Sequence, residues 1–436
     1  MATDTYDAVV IGASLAGCTA AILMAREGAR VALVERHKRP DSHKELCTHF
    51  IQPSALPVLK RLGLDSRIES AGGLRNSVEV HGPSGWIGDR LGEGSHGSPL
   101  HGYNIRRLRL DPMMRELASS TPGLTLMAGW SARALIERGG GICGVDVAGQ
   151  EGQLSLTSRL VVAADGRLSE TARLAGIQTR SSPNVRFGAM AAMRHVDLRR
   201  GSTSQLWING PEISYVFPND DGVTVVAVMG PKDRQEAYQQ DPLEFIKRQV
   251  RALPDAPQFG TAELVGHVLT IKDYPNLWRP RVARGMALVG DAMTSVDFLW
   301  GVGCGWAFQS GAWLSDSVSA ALRTGADLVP ALRRYDRLCR QFSGHRFLIN
   351  DFSKRLALNP IERLMFAAAA KDLKMASHFN RFGARIDGPG TFLAPSAMLK
   401  AVWINLRRAN APAGGTRRSS ASASTETDAT RLERAA

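Results

Sequence analysis

The sequence predicts an α/β fold: a Rossmann-like domain, an inserted β-sheet domain and a C-terminal helical region. Three observations predict it. Strand, glycine turn, helix and strand follow one another between residues 6 and 34. Short alternating apolar runs dominate 186–229, and apolar residues at helical spacing dominate 331–410. With 436 residues the chain can bury a large core in two or three domains.

The elements follow in order. Tyr6–Ile11 is a buried strand, 15–28 an Ala-rich helix ending near Gly28, and Arg30–Val34 a second buried strand. This βαβ order implies a parallel sheet. Residues 76–103 alternate in short glycine-rich runs. A helix is expected over 111–120, and strands near 123–127, 142–147 and 153–163. Four further runs read as strands: Phe187–Met190, Ser204–Ile208, Ile213–Phe217 and Val223–Val228. Asn219-Asp220-Asp221-Gly222 fits a hairpin turn. Asp241-Pro242 opens a helix to about 253. A short strand at 287–289 leads through a glycine loop to a helix over about 304–323.

Composition bounds the function. Apolar and charged fractions of 44% and 22% are those of a globular protein. No apolar run reaches the roughly 20 residues of a membrane span. No signal peptide is read, and the cytoplasm is the expected compartment. The five cysteines, Cys18, Cys47, Cys143, Cys304 and Cys339, include no pair at metal-ligand spacing, so free thiols are expected. Of the net charge of +13, residues 331–410 supply +10, with 15 Lys and Arg against 5 Asp and Glu. Residues 411–436 hold almost no large apolar side chains and read as a disordered tail.

Gly12-Ala13-Ser14-Leu15-Ala16-Gly17 follows a strand and opens a helix. Gly12 permits the tight turn, and Gly17 permits close helix–sheet packing. The free N–H groups of the helix start suit a pyrophosphate. Ser14 stands where the usual pattern has its middle glycine. Glu35 ends the second strand, where a carboxylate can take a ribose hydroxyl. Two later segments repeat the strand-to-acid pattern. One runs into Asp165-Gly166, the other into Gly290-Asp291, followed by Gly301, Gly303 and Gly305.

These three motifs, in this order, resemble those of the group A flavoprotein monooxygenases, the para-hydroxybenzoate hydroxylase-like superfamily. That superfamily also holds geranylgeranyl reductases and flavin-dependent halogenases. The resemblance covers about residues 5–325 and implies bound FAD. It implies that Gly12, Ser14, Leu15, Ala16 and Gly17 hold the pyrophosphate, and Glu35, beside Arg36, the adenosine ribose. Arg107 would lie beside the flavin, with Arg106 and Arg109 as competing choices. Asp165 and Gly166 would lie near the pyrophosphate, and Asp291 at the ribityl chain. Gly301, Val302, Gly303 and Cys304 would present N–H groups to the flavin pyrimidine edge at a helix start. The domains follow: 1–75, 104–185 and 280–330 for FAD, 76–103 and 186–279 for substrate, 331–410 basic and helical.

Thr294, Phe298 and Gly305 replace the family's usual His, Pro and Asn, which argues against a phenol substrate. His49, in the segment expected to pass the flavin ring, is the candidate acid or base, against a structural histidine. Cys47 is a candidate flavin contact. Met190, Trp207, Tyr215, Phe217, Met229, Phe298 and Trp300 are candidates for an apolar substrate wall; any may be core instead.

The leading function is an NAD(P)H-dependent monooxygenase. It would hydroxylate or epoxidise a hydrophobic or aromatic small molecule with O2, through a flavin C4a-hydroperoxide. The main rival is a geranylgeranyl-reductase-like flavoprotein, which Ser310-Gly311 resembles more closely. A halogenase ranks lower, since Trp-x-Trp-x-Ile-Pro is missing. A non-catalytic binding protein of this fold ranks lower because Asp165 and Asp291 are intact. No motif accompanies the basic charge that would read nucleic acid. Leu332, Tyr335, Leu338 and Phe342, and then Met398, Leu399, Val402, Trp403 and Leu406, form apolar stripes between basic residues. Packing on the FAD domain explains them most simply. The sharper reading is peripheral contact with the inner face of a membrane.

Overall fold

The computed structural model of the protein describes residues 3–87 and 100–409. The expectations for 88–99 and 411–436 fall outside these residues.

The α/β expectation is borne out. The first sheet has eight strands. Thr3–Ile11 runs parallel to Val31–Glu35 on one side and to Gly152–Ala163 on the other. Leu124–Ala128 and Met286–Leu288 extend it in parallel at either end. These strands are near-continuous apolar runs because both faces are covered. The helix Leu15–Arg26 buries every residue from Leu15 to Ala25. It packs against the sheet and against the long helix Gly303–Thr324. That crossing requires small residues: a Cβ on Gly311 would lie 2.7 Å from Ala16 O.

The longest strands that escaped the sequence reading are Ser131–Arg138 and Glu263–Ile271. Each pairs along an edge of its sheet and is partly exposed throughout most of its length, so neither shows a clean two-residue alternation.

The second sheet has seven strands and spans both expected β-rich segments. Arg186–Arg194, Ser204–Asn209, Glu212–Pro218 and Thr224–Pro231 form its antiparallel centre with Glu263–Ile271, and Val78–Gly82 and Gly85–Ile87 complete it. The expected hairpin at 219–222 is present, with Asp221 and Gly222 at φ of 56° and 64°. Side chains alternate between two apolar clusters. Tyr215 and Phe217 face one; Trp207 and Val216 face the other.

The C-terminal region forms Val329–Cys339, Gln341–Phe352, Pro360–Lys371, Leu373–Gly383, Pro389–Phe392 and Pro395–Ala409, all helices. A capping box starts the third: Asn359 Oδ1 accepts from Glu362 N, and Glu362 Oε2 from Asn359 N, both at 2.8 Å. Leu332, Tyr335 and Phe342 pack into the core of the first sheet, with Tyr335 donating to Leu288 O at 2.6 Å. The last stripe differs. Ala401 and Ile404 pack inward, while Leu399, Val402, Trp403 and Leu406 point outward and are exposed.

Candidate functional site

The glycine turn is locked sterically. Gly12 has φ of +109°, and a Cβ there would lie 2.5 Å from Ala164 O. A Cβ on Gly17 would lie 1.9 Å from Gly12 O. Ser14 caps the helix by position, but its hydroxyl bonds none of the helix N–H groups. It instead accepts from Arg107 Nη2 at 2.7 Å, leaving the first turn open to an anion. Glu35 is buried behind the turn, where Oε2 accepts from Ala13 N and Oε1 from His37 N, each at 2.9 Å. Arg36 is exposed beside it.

Arg107 begins the helix Arg107–Ser119, four residues before the expected start. No Ser, Thr, Asp or Asn stands at the cap position to signal it. The cap comes from another segment: His49 Nδ1 accepts Arg107 N–H at 3.0 Å. His49 adopts φ of 60°, and its carbonyl accepts from Ile105 N. The histidine is therefore a backbone-positioning residue in this structure, and it does not line the large cavity described below. Arg107 is also held by Asp111 at 2.7 Å. Arg106 and Arg109 face away, toward Asp220 and Asp221 of the hairpin turn. Of the three arginines, Arg107 alone bonds the glycine turn.

Asp291 follows Gly290, whose N–H is held by Ser310 Oγ at 2.9 Å. Its carboxylate pairs with Lys44 Nζ at 2.7 Å. That charge stabilises the ammonium and raises the Lys44 pKa. Lys44 N also donates to Asp111 Oδ2 at 3.0 Å, so the 44–49 segment is fastened to the Arg107 cluster. Gly301 sits at φ of +57° with Thr48 Oγ1 nearby, and Gln52 Nε2 donates to Trp300 O at 3.0 Å. Val302 and Gly303 then start the long helix. Cys304 Sγ lies 3.6 Å from Cys47 Sγ. The hydrogen bond from Cys304, helped by His49 and Arg107, pulls the Cys47 pKa well below its usual value, while Cys304 is pushed up.

Asp165 behaves differently. Its carboxylate accepts from Thr171 N and Thr171 Oγ1 at 2.8 Å and from Ser169 Oγ, fastening the start of the helix Glu170–Leu174. Asp165 and Gly166 approach the glycine turn through backbone: the Gly12 Cβ position lies 2.9 Å from Asp165 Cα.

A cavity of about 780 Å3 opens at Gln52, Trp300 and Gly301. Its walls are Phe217 and Leu206 of the second sheet and, opposite, Phe352, Met365, Phe379 and Phe382 of the C-terminal helices. Of the expected wall, Phe217 and Trp300 line it. Met190, Tyr215, Met229 and Phe298 belong to the same apolar cluster without lining the cavity. Trp207 lies on the opposite face, donating from Nε1 to Pro254 O at 2.9 Å. One-residue register decides this, because neighbours on a strand face opposite ways.

The sequence reading missed Lys44 and the helical wall. Lys44 sits in no recognisable spacing with Asp291. The helical wall carried amphipathic stripes, but nothing in them distinguished a cavity lining from a core.

The geometry fits FAD. Arg107 is joined to the glycine turn through Ser14 and to Lys44 and Asp291 through Asp111, while Gly12 and Gly17 admit no Cβ. Gln52 Oε1 and Ser54 Oγ are buried without partners beside Gly305, as polar groups awaiting a ligand would be.

Comparison agrees. The model of the FAD binding domain family matches residues 5–344. Digeranylgeranylglycerophospholipid reductase 1 of Methanococcoides burtonii is 25% identical, over 80% of this chain and 82% of its own. The 6-methylpretetramide 4-monooxygenase of Streptomyces rimosus is 33% identical, over 39% of this chain and 41% of its own. Among solved structures, a flavin-dependent brominase superposes with TM-score 0.75 at 18% identity, covering 93% of this chain and all of its own. The turn at Gly12, the carboxylates at Glu35 and Asp291, and this match over most of the chain have one meaning: the protein belongs to the FAD binding domain family and is an FAD-dependent oxidoreductase.

Proposed function

We propose that the protein is an NAD(P)H-dependent monooxygenase that hydroxylates or epoxidises a hydrophobic small molecule. The observation that carries this reading is the apolar cavity of about 780 Å3 opening at Trp300 and Gly301, two residues before the helix start proposed to meet the flavin. Gly12–Gly17 and Arg107 would hold the pyrophosphate, Glu35 the ribose, and Asp291 with Lys44 the ribityl chain. The Gly303 helix start and the orphaned Gln52 and Ser54 atoms would meet the polar flavin edge. Bound FAD supplies hydride acceptance from the nicotinamide and activation of O2 for transfer of one oxygen atom. The chain supplies the rest. Phe50, Phe217 and Leu299 would exclude water from the reacting end of the cavity and orient an apolar chain there.

Reductase chemistry on a prenyl chain is the second reading. Ser310, buried and bonded to Gly290 N, belongs to the Ser-Gly pair that resembles that branch, and curated relatives include digeranylgeranylglycerophospholipid reductases. One experiment separates the two. The holoenzyme is reduced anaerobically with NADH or NADPH and mixed with 18O2 and apolar candidates. Incorporation of one 18O into product supports oxygenation. Loss of a carbon–carbon double bond without 18O supports the reductase reading and overturns the first.

Leu399, Val402, Trp403 and Leu406 face outward beside Lys400 and Arg407. This arrangement supports peripheral contact with an anionic membrane surface, from which an apolar substrate would be drawn.

A further inference from the structure

The cavity carries a charge that its hydrocarbon walls do not explain. Its acidic lining residues are paired: Glu79 with Arg200 at 2.9 Å, Asp351 with Arg355 at 2.7 Å, and Glu362 with Arg355 at 2.8 Å. Arg385 also lines it, and no carboxylate among the described residues pairs with Arg385. Its Nε is buried without a partner, and Nη1 makes one long bond, to Phe382 O at 3.3 Å. Its guanidinium lies 5.9 Å from the ring centroid of Trp300, whose own Nε1 is buried without an acceptor. Two side chains that line the cavity side by side thus each carry an orphaned N–H donor. Arg385 is half-buried and has only the rings of Trp300 and Phe382 beside its charge; a cation withdrawn from water without a counter-charge is destabilising, so its retention needs an explanation.

The backbone sharpens the point. Ile386 N donates to Arg381 O and Arg385 N to Phe382 O, both at 3.0 Å. This is the closing turn of the helix Leu373–Gly383 in Schellman form, whose left-handed position favours glycine. Arg385 occupies that position at φ of 63°. A bulky residue there is strained, and such strain points to a job for the side chain. Capping the helix C-terminus by charge is one job, but an exposed lysine or arginine in the last turn would do it without burial.

We infer that Arg385, with Trp300 Nε1, binds an oxyanion carried by the substrate, so that the cavity takes an apolar chain ending in a carboxylate or a phosphate. This rests on the cavity being the substrate site. The anion would replace the missing counter-charge and accept both orphaned donors, Arg385 presenting its planar fork. The apolar walls would hold the remainder.

Equilibrium binding to the holoenzyme tests this. Dissociation constants for dodecanol, dodecanoate and dodecyl phosphate, below their micelle concentrations, are measured by tryptophan fluorescence and calorimetry. At least one anion is expected to bind about tenfold or more tightly than the alcohol, as charged hydrogen bonds imply. The stronger anion distinguishes a carboxylate from a phosphate substrate. Arg385→Met should abolish the preference while leaving dodecanol binding within about twofold, and Arg385→Lys should restore part of it. FAD content and melting temperature check that each variant folds; if Arg385→Met does not, the wild-type comparison and Arg385→Lys decide. Equal binding of all three probes to the wild type, a preference surviving in Arg385→Met, or binding of none overturns the inference. Failure of oxygen transfer with normal anion binding overturns the proposed reaction alone.

Discussion

Lys44 Nζ lies 2.7 Å from Asp291 Oδ2, joining segments 247 positions apart in the sequence. The pair stands where the ribityl chain is proposed to lie, and it separates two carboxylates that the sequence presents alike. Asp291 pairs with Lys44 across the fold, whereas Asp165 is used up at the start of the Glu170 helix. Asp291→Ala should therefore weaken FAD binding roughly tenfold to a hundredfold, from loss of a charged hydrogen bond. Asp165→Ala should leave FAD affinity nearly unchanged and lower stability by about 1 kcal/mol, as loss of a helix cap does. FAD titrations and urea melts of both variants measure this. Equal rises in the FAD dissociation constant would refute the assignment.

The thiol pair gives a second prediction. Cys47 is partly exposed and held toward the thiolate by Cys304, His49 and Arg107. Burial pushes Cys18 and Cys339 the other way. Iodoacetamide at neutral pH should therefore label Cys47 of the apoprotein before Cys304, Cys18 or Cys339. If Cys47 lies against the flavin, FAD should slow that labelling. Peptide mass mapping over time reads both. Labelling of Cys304 first, or no protection by FAD, would contradict the geometry.

Much of this was legible in the sequence where covalent pattern and local physics coincide. Gly12 and Gly17 were legible because no other residue fits their backbone contacts. The parallel strands were legible because burial on both faces makes continuous apolar runs. What escaped depended on partners distant in the chain. The Arg107 helix start is capped by His49, not by a neighbour. Trp207 differs from Leu206 and Ile208 only in which face of one strand it occupies. Lys44 and Arg385 have meaning only through Asp291 and the cavity.

His345 gives a pH prediction. It is buried in the cavity wall and stacked on Phe382 at 5.0 Å. Burial, and then Arg385, push its pKa down to about 3. In the unfolded chain the value is about 6.5. The folded state therefore binds fewer protons between these values. The stability this group allows is fully present above about pH 6.5 and is lost as pH falls toward 3. The slope is at most about 1.4 kcal/mol per pH unit. His345→Phe keeps the stacking and should flatten that part of the acid limb. Urea melts from neutral to mildly acidic pH compare the two proteins. Parallel curves would mean that His345 is not held neutral by its surroundings.

The last helix makes the membrane prediction concrete. Leu399, Trp403 and Leu406 are 72%, 50% and 61% exposed and share one face with Val402. Their packing on the first domain was the simpler expectation, and this face does not pack on it. Four apolar residues on the outer surface of one helix form a patch that water disfavours, so the face should have a partner. Arg407 lies 3.6 Å over the Trp403 ring, which keeps positive charge at the rim of the patch, while Lys400 is paired with Asp372. A surface with anionic headgroups over an apolar interior matches both features, each cation adding about 1 kcal/mol near it. The protein should co-sediment with vesicles containing phosphatidylglycerol and not with phosphatidylcholine alone, and salt should weaken the binding. Replacing Trp403 and Leu406 with serine should abolish binding while FAD content stays constant, since neither side chain touches the cavity. Replacing Arg407 and Arg408 with glutamine should weaken it without changing the residual affinity for neutral vesicles. No sedimentation at low salt, or equal binding to both vesicle types, would rule out an anionic membrane as the partner of this face.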